Sequence, residues 1–388
     1  MNYKVENGTL TVLLSGRVDS ANTEEQENAL NAIIAGNSFE NLVLDMENLE
    51  YISSAGLRMV LRARKAQPSL KIINTSPEVY EIFDITGFTE MMSVEKAYRR
   101  LSVDGCEVIG KGAKGTVYRY DAETVVKVYK DADSLPAIKK ERELARKAFV
   151  LGVPTAIPYD VVRVGDSYGS VFELLNAESY SSLIAKNPER IDSYAETFSS
   201  LLKKMHSTQI KKGELRDMKP FVLSWAETAE PYLKKETAQK LKALINAVPD
   251  RTNLLHCDYH TNNIMLQSGE TLLIDMDTVS SGHPIFELAN IYITYIGFGE
   301  KDPTVVESFI GLPYDTAVLF WKKFLPLYLE TRDEKKIKET ENKAALLSYT
   351  RLMRHIIRRG GAEREKETID FCSENIEKLL SEIDTLDF

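Results

Sequence analysis

Hydrophobic and polar positions alternate in two different ways along the chain, which predicts two regions of different architecture. Up to about residue 103, short apolar runs alternate with longer segments whose apolar residues recur every three or four positions. The short runs are typical of strands and the longer segments of helices. The predicted strands are residues 10–15, 42–46 and 70–74, and the predicted helices are residues 22–35, 56–65 and 77–83. This alternation predicts a small mixed sheet with helices packed on it.

Beyond residues 102–105 the pattern changes to consecutive strands. The predicted strands are residues 106–109, 116–120, 124–129, 159–164 and 168–174, with a helix over 135–149. From about Ser179 onward the apolar spacing is mostly that of amphipathic helices. The sequence therefore predicts an α+β/α/β protein of two domains, residues 1–103 and 104–388. We expect the second domain to be rich in strands over about 104–175 and helical over about 176–388.

The composition is that of a soluble globular protein. The chain has 388 residues, of which 43% are hydrophobic and 28% charged. Its first residues lack the layout of a signal peptide, and no apolar run approaches membrane-spanning length. Cys106, Cys257 and Cys372 are too scattered for a disulfide framework or a metal site. We therefore expect a cytoplasmic protein without a membrane partner.

Charge narrows the classes of ligand. A net charge of −9 argues against a non-specific nucleic-acid binder and leaves cationic small molecules open as substrates. The most basic segment runs from Arg351 to Arg359, with apolar residues interleaved at helical spacing. That spacing favours a half-buried helix with a solvated basic face over a binding patch.

Reactive side chains are concentrated in two short segments of the helical region. The segment H-C-D-Y-H-T-N-N places Asp258 five residues before Asn263, and the segment I-D-M-D adds Asp275. A carboxylate that orients or deprotonates a hydroxyl, with an amide and a carboxylate that hold Mg²⁺, is typical of phosphoryl transfer. On these segments alone, a polar turn between two strands is the alternative interpretation.

A glycine-rich segment and a lysine favour a nucleotide site. Gly110, Gly112 and Gly115 form G-x-G-x-x-G, and the β-branched run through Val117 indicates that this loop closes a hairpin. Glycines in such a hairpin let backbone N–H groups cover phosphates. Lys127 lies in the apolar strand V-V-K-V-Y. It needs an anionic partner there, because an unpaired buried charge is costly.

Two glutamates on the next predicted helix compete to be that partner. Glu141 falls on the apolar stripe, with Ala145 four residues on. Glu143 shares its face with Lys147. We therefore predict that Glu141 pairs with Lys127.

The segment from Tyr168 to Ala177 reads as an apolar strand that runs into a linker. The backbone from Glu173 to Leu175 is placed to pair with the edge of an adenine, with apolar neighbours on both faces of the ring. A plain strand and turn is the alternative, and the sequence leaves both open.

Residues from about 106 to 388 resemble the protein-kinase-like phosphotransferases of the aminoglycoside and choline kinase branch. The stretch from His256 to Leu266 is similar to that branch's H-G-D-x-H-x-x-N-[IV]-L loop. The stretch from Ile274 to Ala289 is similar to its I-D-[FW]-[DE] and G-x-P-x-x-D-L-A motifs. The resemblance implies a bilobal fold with a β-rich N-lobe and a helical C-lobe, which uses ATP and Mg²⁺.

The resemblance also implies a role for each motif residue. Asp258 would be the catalytic base or the carboxylate that orients the hydroxyl. Asn263 and Asp275 would be the Mg²⁺ ligands. Lys127 would hold the α and β phosphates under the glycine-rich hairpin, braced by Glu141.

Two positions depart from the motifs of that branch. Cys257 stands where the branch usually has glycine, and Glu287 where it usually has aspartate. His256 and His260 flank the catalytic position and are expected to shape the loop by hydrogen bonding. The absence of a long activation loop before Glu287 favours a small-molecule kinase over a protein kinase.

Residues 1 to about 100 resemble the STAS domain of anti-sigma-factor antagonists. The resemblance rests on G-R-V-D-S-A from Gly16, on Y-I-S-S-A-G-L-R from Tyr51, and on F-D-I-T-G-F from Phe83. In that family a serine before a helix is reversibly phosphorylated, which controls binding of a protein partner. The family's usual D-S-[ST]-G appears here with Ser53 in place of the aspartate, so Ser54 takes the phosphorylated position.

Two interpretations of these serines stay open. A phosphate at a helix N-terminus meets free N–H groups and the positive end of the helix dipole, which suits a switch at Ser54. Ser53 or Ser54 can equally serve only as the N-cap of the helix.

Three functions are therefore considered. The first is transfer of the ATP γ-phosphate to a hydroxyl of a small molecule, with the STAS part regulating or localising the enzyme. The second is a partner-switching signalling protein whose kinase-like part phosphorylates Ser54 or a protein partner. The third is a scaffold that binds ATP without catalysis. The intact set of Lys127, Asp258, Asn263 and Asp275 counts against the third.

Overall fold

The structure, a computed structural model, describes residues 1–112, 114–131 and 134–388. The chain divides into two compact units. The first comprises residues 1–102 and 161–166, and the second comprises residues 103–160 and 167–388.

The first unit alternates strands and helices, as the sequence pattern predicts. Its elements are β1 (Asn2–Glu6), β2 (Thr9–Val18), α1 (Thr23–Gly36), β3 (Asn41–Ile52), α2 (Ser54–Ala66), β4 (Lys71–Thr75), α3 (Pro77–Ile85), α4 (Phe88–Met91), β5 (Val94–Lys96) and β6 (Arg99–Arg100). All six predicted elements are present, and the hydrophobic pattern did not predict the other four, β1, α4, β5 and β6. These are exposed, short or both, so they carry little apolar periodicity.

The sheet of the first unit is mixed, which confirms the predicted fold class. Its strand order is β1-β2-β3-β4-β5. The β1–β2 pair is antiparallel, and the remaining pairs are parallel. Alternate residues of β2 and β3 are fully buried, including Leu10, Val12, Leu42 and Leu44, which form the core of this unit.

The N-terminus of α2 explains why small residues occupy this position. Ser53 is the N-cap, and its hydroxyl accepts a hydrogen bond from the backbone N–H of Gly56 at 3.4 Å. Ser54 is the first helical residue and is exposed. Gly56 faces the sheet, where a Cβ would lie 2.7 Å from Ile52 Cγ1 and 2.9 Å from Val18 Cγ1. The helix can therefore approach β2 and β3 closely only with glycine at position 56.

The second unit begins with strands and continues as a helical region. Its strands are β7 (Glu107–Lys111), β8 (Gly115–Arg119), β9 (Thr124–Tyr129), β11 (Ser167–Glu173), β12 (Glu178–Ser179), β13 (Asn253–Leu255), β14 (Ile264–Gln267), β15 (Glu270–Leu273) and β16 (Ser280–Gly282). Strand β10 (Asp160–Val164) lies mostly in the first unit, where it pairs in parallel with β6. The helices are α5 (Leu135–Val150), α6 (Tyr180–Lys186), α7 (Ile191–Ser207), α8 (Met218–Ala229), α9 (Lys235–Ala247), α10 (Ile285–Tyr292), α11 (Pro303–Ile310), α12 (Tyr314–Leu329), α13 (Glu334–Arg358) and α14 (Lys366–Glu382).

Strands β7, β8, β9 and β11 are joined as an antiparallel sheet, with β8 between β7 and β9 and with β11 beyond β9. The predicted hairpin between β7 and β8 is thus present, and helix α5 follows β9 as expected. The helical region that comes next contains two small sheets, β12-β14-β15 and β13-β16, which carry the polar motifs. The predicted order of a β-rich part followed by a helical part is confirmed.

The helical region packs around a cluster of aromatic side chains centred on Phe198 of α7. The Phe198 ring lies 4.4 Å from the ring of Tyr259 and about 5 Å from those of Phe320 and Phe324, measured between centroids. The Tyr259 hydroxyl also donates to the Phe198 carbonyl at 2.8 Å. Tyr259 directly follows Asp258, so this core holds the chain on one side of the polar motif. Within the described residues, no helix combines the length and apolar character that crossing a membrane requires.

The close approach at Gly56 leads to a stability prediction. Gly56→Ala should lower the thermal unfolding midpoint of the full-length chain, because overpacking of this kind costs about 1–3 kcal/mol and exceeds the helix propensity gained. Gly36→Ala is the matched control, because α1 also contains this glycine and a Cβ there meets nothing within 4 Å. Scanning calorimetry compares the two variants. Equal midpoints would contradict the proposed steric restriction.

Candidate active site

The hairpin between β7 and β8 forms one wall of the site. Gly110 lies in β7 and Gly115 begins β8, and the N–H of Gly112 donates to the Gly115 carbonyl at 2.9 Å. A Cβ at residue 115 would lie 2.4 Å from the Val128 carbonyl oxygen of β9. Glycine is therefore required at position 115 because the neighbouring strand approaches its backbone, whereas the backbone at residue 112 leaves more space.

Lys127 of β9 is held between two carboxylates. Its Nζ lies 2.8 Å from Glu141 Oε1 and 3.4 Å from Asp275 Oδ1. Burial works to lower the pKa of Lys127, but the negative charges of Asp275 and Glu141 outweigh it and raise the pKa. The lysine is therefore a permanent cation at neutral pH.

The structure places Glu141, and not Glu143, against Lys127. Glu141 is buried on α5, whereas Glu143 is exposed and pairs with Lys147 one turn along the helix. The second oxygen of Glu141 accepts from the hydroxyl of Tyr129 at 2.7 Å. Tyr129 is two residues from Lys127 on β9 and so lies on the same face of the strand. With both oxygens bonded, the Glu141 carboxylate has a fixed orientation.

A cleft of about 980 Å³ contains all the residues predicted to act on a nucleotide, a metal ion or a phosphoryl acceptor. The predicted residues that line it are Gly110, Gly112, Gly115, Val117, Lys127, Glu141, Glu173, Leu175, Asp258, Asn263 and Asp275. Its other lining residues include Lys114 and Asp277, which form an ion pair across the cleft, and apolar side chains such as Val125, Phe172 and Met265. Ser54 lies in the first unit.

Asp258 lies at the polar end of this cleft, hydrogen-bonded to Asn263. The Asn263 amide nitrogen donates to the Asp258 carbonyl at 3.0 Å and lies 3.4 Å from its Oδ2. His260 Nε2 lies 3.6 Å from Oδ1. Burial works to raise the pKa of Asp258, but the neighbouring imidazoles of His260 and His256 and the charge of Arg351 lower it to about 2. Asp258 is therefore a carboxylate at any physiological pH.

Cys257, the first departure from the family motif, occupies a backbone conformation that favours glycine. Its φ is +68°, in the left-handed region where a side chain costs about 1–2 kcal/mol. The thiol is buried, and burial together with the charge of Glu287 raises its pKa. It is therefore a neutral thiol in this loop. The conformation implied by the glycine of the motif is kept although the residue has changed.

Glu287, the second departure, holds that strained turn in place. Its carboxylate is fully buried and accepts the N–H of His256 at 2.5 Å and the N–H of Cys257 at 2.9 and 3.0 Å. The Asn290 amide, one turn further along α10, donates to the Cys257 carbonyl at 3.3 Å. Helix α10 thus hydrogen-bonds both sides of the residue at positive φ.

The opposite end of the loop is tied to the helical region through Thr261. The Thr261 N–H donates to the hydroxyl of Tyr295 at 2.9 Å, and the hydroxyl of Ser181 lies 2.8 Å from Thr261 Oγ1. Tyr295 lies in a short π-helical segment, Ile293–Gly297, which continues α10. One continuous helical element therefore contacts the loop both before and after Asp258.

The residues present fit a bound Mg²⁺. The nitrogen of the Asn263 amide bonds to Asp258, and none of the described residues donates to its oxygen. Asp275 supplies a carboxylate that is 40% exposed. These are the hard oxygen ligands that Mg²⁺ prefers. Among the described residues, no three His, Cys, Asp or Glu side chains form a metal cage. Mg²⁺ commonly takes only one or two protein ligands and completes its coordination with phosphate oxygens and water.

Several residues of the site could not be found by motif reasoning. Tyr129 is the exception, because it lies two residues after Lys127 on β9, and residues two apart point to the same face of a strand. Lys114, which pairs with Asp277, and Tyr295, which orients Thr261, are distant in sequence from their partners and carried none. For Arg351 to Arg359 the sequence predicts a half-buried helix with a solvated basic face. Helix α13 is present, but Arg351 is only partly exposed and interacts electrostatically with Asp258.

Comparison with known families separates the two parts of the chain. A model described as a phosphotransferase enzyme family matches residues 105–313, and a STAS domain model matches residues 1–102. BtrV of Bordetella bronchiseptica, named as an anti-sigma factor antagonist, is 41% identical over 91 residues, which are 22% of this chain and 78% of that protein. An anti-sigma F factor antagonist of Paenibacillus polymyxa is 26% identical over 102 residues, 24% of this chain and 87% of that protein.

Among solved structures, the second part is similar to the aminoglycoside phosphotransferase APH(4)-Ia in a ternary complex with AMP-PNP and hygromycin B. The match covers 71% of this chain and 93% of that one, with a TM-score of 0.50 and 12% identity, so it shows the fold alone. The phosphotransferase model covers more than half of the sequence. The chain therefore belongs to the phosphotransferase enzyme family, and its first 102 residues are a STAS domain similar to those of anti-sigma factor antagonists.

Proposed function

We propose that this protein is an Mg·ATP-dependent phosphotransferase that transfers the γ-phosphate to a hydroxyl of a small molecule. In this proposal residues 104–388 are the catalytic part, divided into lobes at about residue 175. Residues 1–103 are a STAS module that regulates the enzyme or docks it to a protein partner.

One observation carries the proposal. A single cleft brings Lys127, its carboxylate partner Glu141, and the motif residues Asp258, Asn263 and Asp275 together. Lys127 Nζ lies within 3.4 Å of Asp275 Oδ1, so the phosphate-binding cation and a metal-binding carboxylate are neighbours although 148 residues separate them. A polar turn of structural origin has no need of this convergence.

The two ends of the cleft suit the two ends of a nucleotide. Val117, Val125 and Phe172 provide apolar surface near Glu173 and Leu175, whose backbone is proposed to pair with adenine. Lys127 and the hairpin glycines are proposed to hold the phosphates. Asn263 and Asp275 would hold Mg²⁺, which when bound neutralises phosphate oxygens.

The low pKa of Asp258 bears on its role. A carboxylate with a pKa of about 2 is a weak base at pH 7, since efficient general bases have a pKa near the working pH. We therefore propose that Asp258 orients the acceptor hydroxyl by accepting its hydrogen bond. The proton moves to the carboxylate only as the new oxygen–phosphorus bond forms.

A second function is supported by one observation at the STAS domain. Ser53 acts as the N-cap of α2, which leaves the Ser54 hydroxyl exposed at the first turn of a 13-residue helix. The capping role therefore does not account for Ser54. A phosphate on Ser54 would lie close to the free N–H groups of the helix. The second candidate is thus a signalling protein in which Ser54, or a protein partner, is the phosphoryl acceptor.

The first prediction about function distinguishes an enzyme from a scaffold and tests whether Ser54 is the phosphoryl acceptor. Asp258→Asn should lower ATP-dependent phosphorylation by about 10²–10⁴-fold, because the hydroxyl-orienting charge is lost. Binding of Mg·AMP-PNP, measured by calorimetry, should stay unchanged. Intact mass after incubation with Mg·ATP, with Ser54→Ala alongside, shows whether the chain phosphorylates itself. Undiminished phosphorylation by the Asp258 variant would disprove the catalytic assignment.

The second prediction uses the two glutamates of α5 as a matched pair. Glu141→Gln should weaken Mg·AMP-PNP binding at least tenfold, because Lys127 loses the carboxylate that positions it. Glu143→Gln removes the same charge from an exposed position on the same helix and should leave binding unchanged. Calorimetric titration of both variants measures the difference. Equal affinities would argue against the bracing role of Glu141.

The third prediction concerns pH. The pKa of Asp258 is lowered, so the carboxylate stays ionised until the pH falls towards 2. His260→Gln removes the imidazole that helps to lower this pKa, so the pKa of Asp258 should be higher in the variant. The ratio of wild-type to variant kcat/KM should therefore grow as the pH falls from about 7 to 5. Both proteins use the same ATP, so the effect of its ionisation cancels in the ratio. A ratio that does not change with pH would contradict the effect of His260 on the pKa of Asp258.

A further inference from the structure

Three arginines form a compact cluster beside the catalytic loop, and the proposed nucleotide chemistry uses none of them. The arginine cluster consists of Arg216, which lies two residues before the start of α8, and of Arg351 and Arg354 on α13. The guanidinium carbons of Arg216 and Arg354 lie 4.4 and 4.9 Å from the ring centroid of Phe221. Two cations therefore share one aromatic ring, which brings like charges close together.

The cluster lacks the carboxylates that would explain it as a structural ion-pair network. Over the described part of the chain, no Asp or Glu lies within 4.0 Å of the guanidinium groups of these three arginines. Arg354 Nε is buried and has no hydrogen-bond partner among the described residues. Burial lowers the pKa of Arg354, and the positive charges of Arg358, Arg351 and Arg216 lower it further. A group of cations held close together and partly buried without counter-charges is costly.

Arg351 connects the cluster to the reaction centre. Its charge is felt by both Asp258 and Cys257, and the charge of Arg216 is felt by Cys257. Arg216 also donates to the hydroxyl of Ser280, five residues after Asp275, at 3.1 Å. The charges of the cluster thus act on the loop that carries Asp258, yet none of its members lines the cleft proposed for ATP.

Compensation of buried carboxylates accounts for only part of this charge. The Glu287 carboxylate already accepts the N–H groups of His256 and Cys257. Asp258 and Glu287 are the two carboxylates whose charges act on Arg351. Arg216 and Arg354 therefore stay without a carboxylate of their own, and their forked donors suit a bidentate oxyanion.

We propose that the arginine cluster is the acceptor subsite, and that the phosphoryl acceptor is a hydroxyl-bearing molecule that also carries a phosphate or carboxylate group. The inference rests on the proposed function and narrows its substrate class. The net charge of the chain left cationic acceptors open, whereas the charge beside Asp258 has the sign that repels them.

The transfer itself balances without a further reactant. The acceptor oxygen forms a bond to the γ-phosphorus, and the bond from that phosphorus to the β–γ bridging oxygen breaks, so that ADP leaves. The hydroxyl proton passes through Asp258 to solvent. The arginines bind the acceptor's anionic group and take no part in bond making.

The test measures binding of inorganic phosphate to the full-length protein saturated with Mg·AMP-PNP, so that the nucleotide site is blocked. Calorimetry on the wild type should show one saturable phosphate site. Arg216→Gln and Arg351→Gln should each raise its dissociation constant at least tenfold, because each removes a charged donor. Arg216 is exposed, so its variant keeps the test valid if the half-buried Arg351 variant fails to fold. The control Arg332→Gln changes an exposed arginine that precedes α13 and should leave binding unchanged.

A second arm identifies the anionic group by measuring ADP release with glycerol 3-phosphate, glycerate, glycerol and choline as acceptors. Faster turnover of glycerol 3-phosphate or glycerate than of glycerol and choline supports the proposal. The faster of the two anionic compounds shows whether the cluster prefers a phosphate or a carboxylate. Saturable phosphate binding that the two arginine variants weaken supports it as well. Absence of that binding, binding that the variants leave unchanged, or preferred turnover of choline overturns it. Failure of AMP-PNP to bind counts against the proposed function instead, since phosphate binding is then measured without nucleotide.

Discussion

The geometry of the site depends on one buried carboxylate, that of Glu287. Removing this charge from water is costly, and the backbone N–H groups of His256 and Cys257 compensate by donating to it. Those hydrogen bonds hold Cys257 in a conformation that non-glycine residues avoid. Asp258 follows directly, so the direction of its carboxylate depends on a glutamate 29 residues further along the chain. The two departures from the family motif therefore act together. The Glu287 carboxylate supports the strained backbone turn at Cys257.

Charge is arranged differently at the two ends of the phosphoryl path. On the nucleotide side, Lys127 has carboxylates on both sides, which keep it protonated, and Lys114 faces Asp277. These cations are matched by carboxylates, one of which, that of Asp275, would also hold a bound metal ion. Beside Asp258, the charges of three arginines, Arg216, Arg351 and Arg354, act on one another, whereas only Asp258 and Glu287 are carboxylates whose charges act on Arg351. An arrangement that is neutral on one side and positive on the other suits a nucleotide that brings its own metal ion and an acceptor that brings its own negative charge.

The sequence was most informative where local chemistry and periodicity agree. Six elements of the first unit, the hairpin after Gly110 and the choice of Glu141 over Glu143 follow from spacing within a few residues. The spacing on α5 was decisive because the helical stripe leaves only one of the two glutamates facing β9. Hydrogen bonds between segments that are distant in sequence could not be predicted from local spacing. The support of Thr261 by Tyr295 and Ser181 depends on how helices pack, and no motif spacing records that packing.

Arg351 shows most clearly why composition could not predict the acceptor side. The interleaved arginines and apolar residues of α13 favoured a solvated basic face over a binding patch. The packing of α13 against α8 and α10 decides between them, because it leaves Arg351 and Arg354 half-buried while His355, Arg358 and Arg359 stay exposed. A protein with an overall negative charge can therefore present a positive surface to its substrate. What the acceptor encounters is set by the few charges within a Debye length of Asp258, about 8 Å at physiological salt, and the net charge of the chain acts only beyond it.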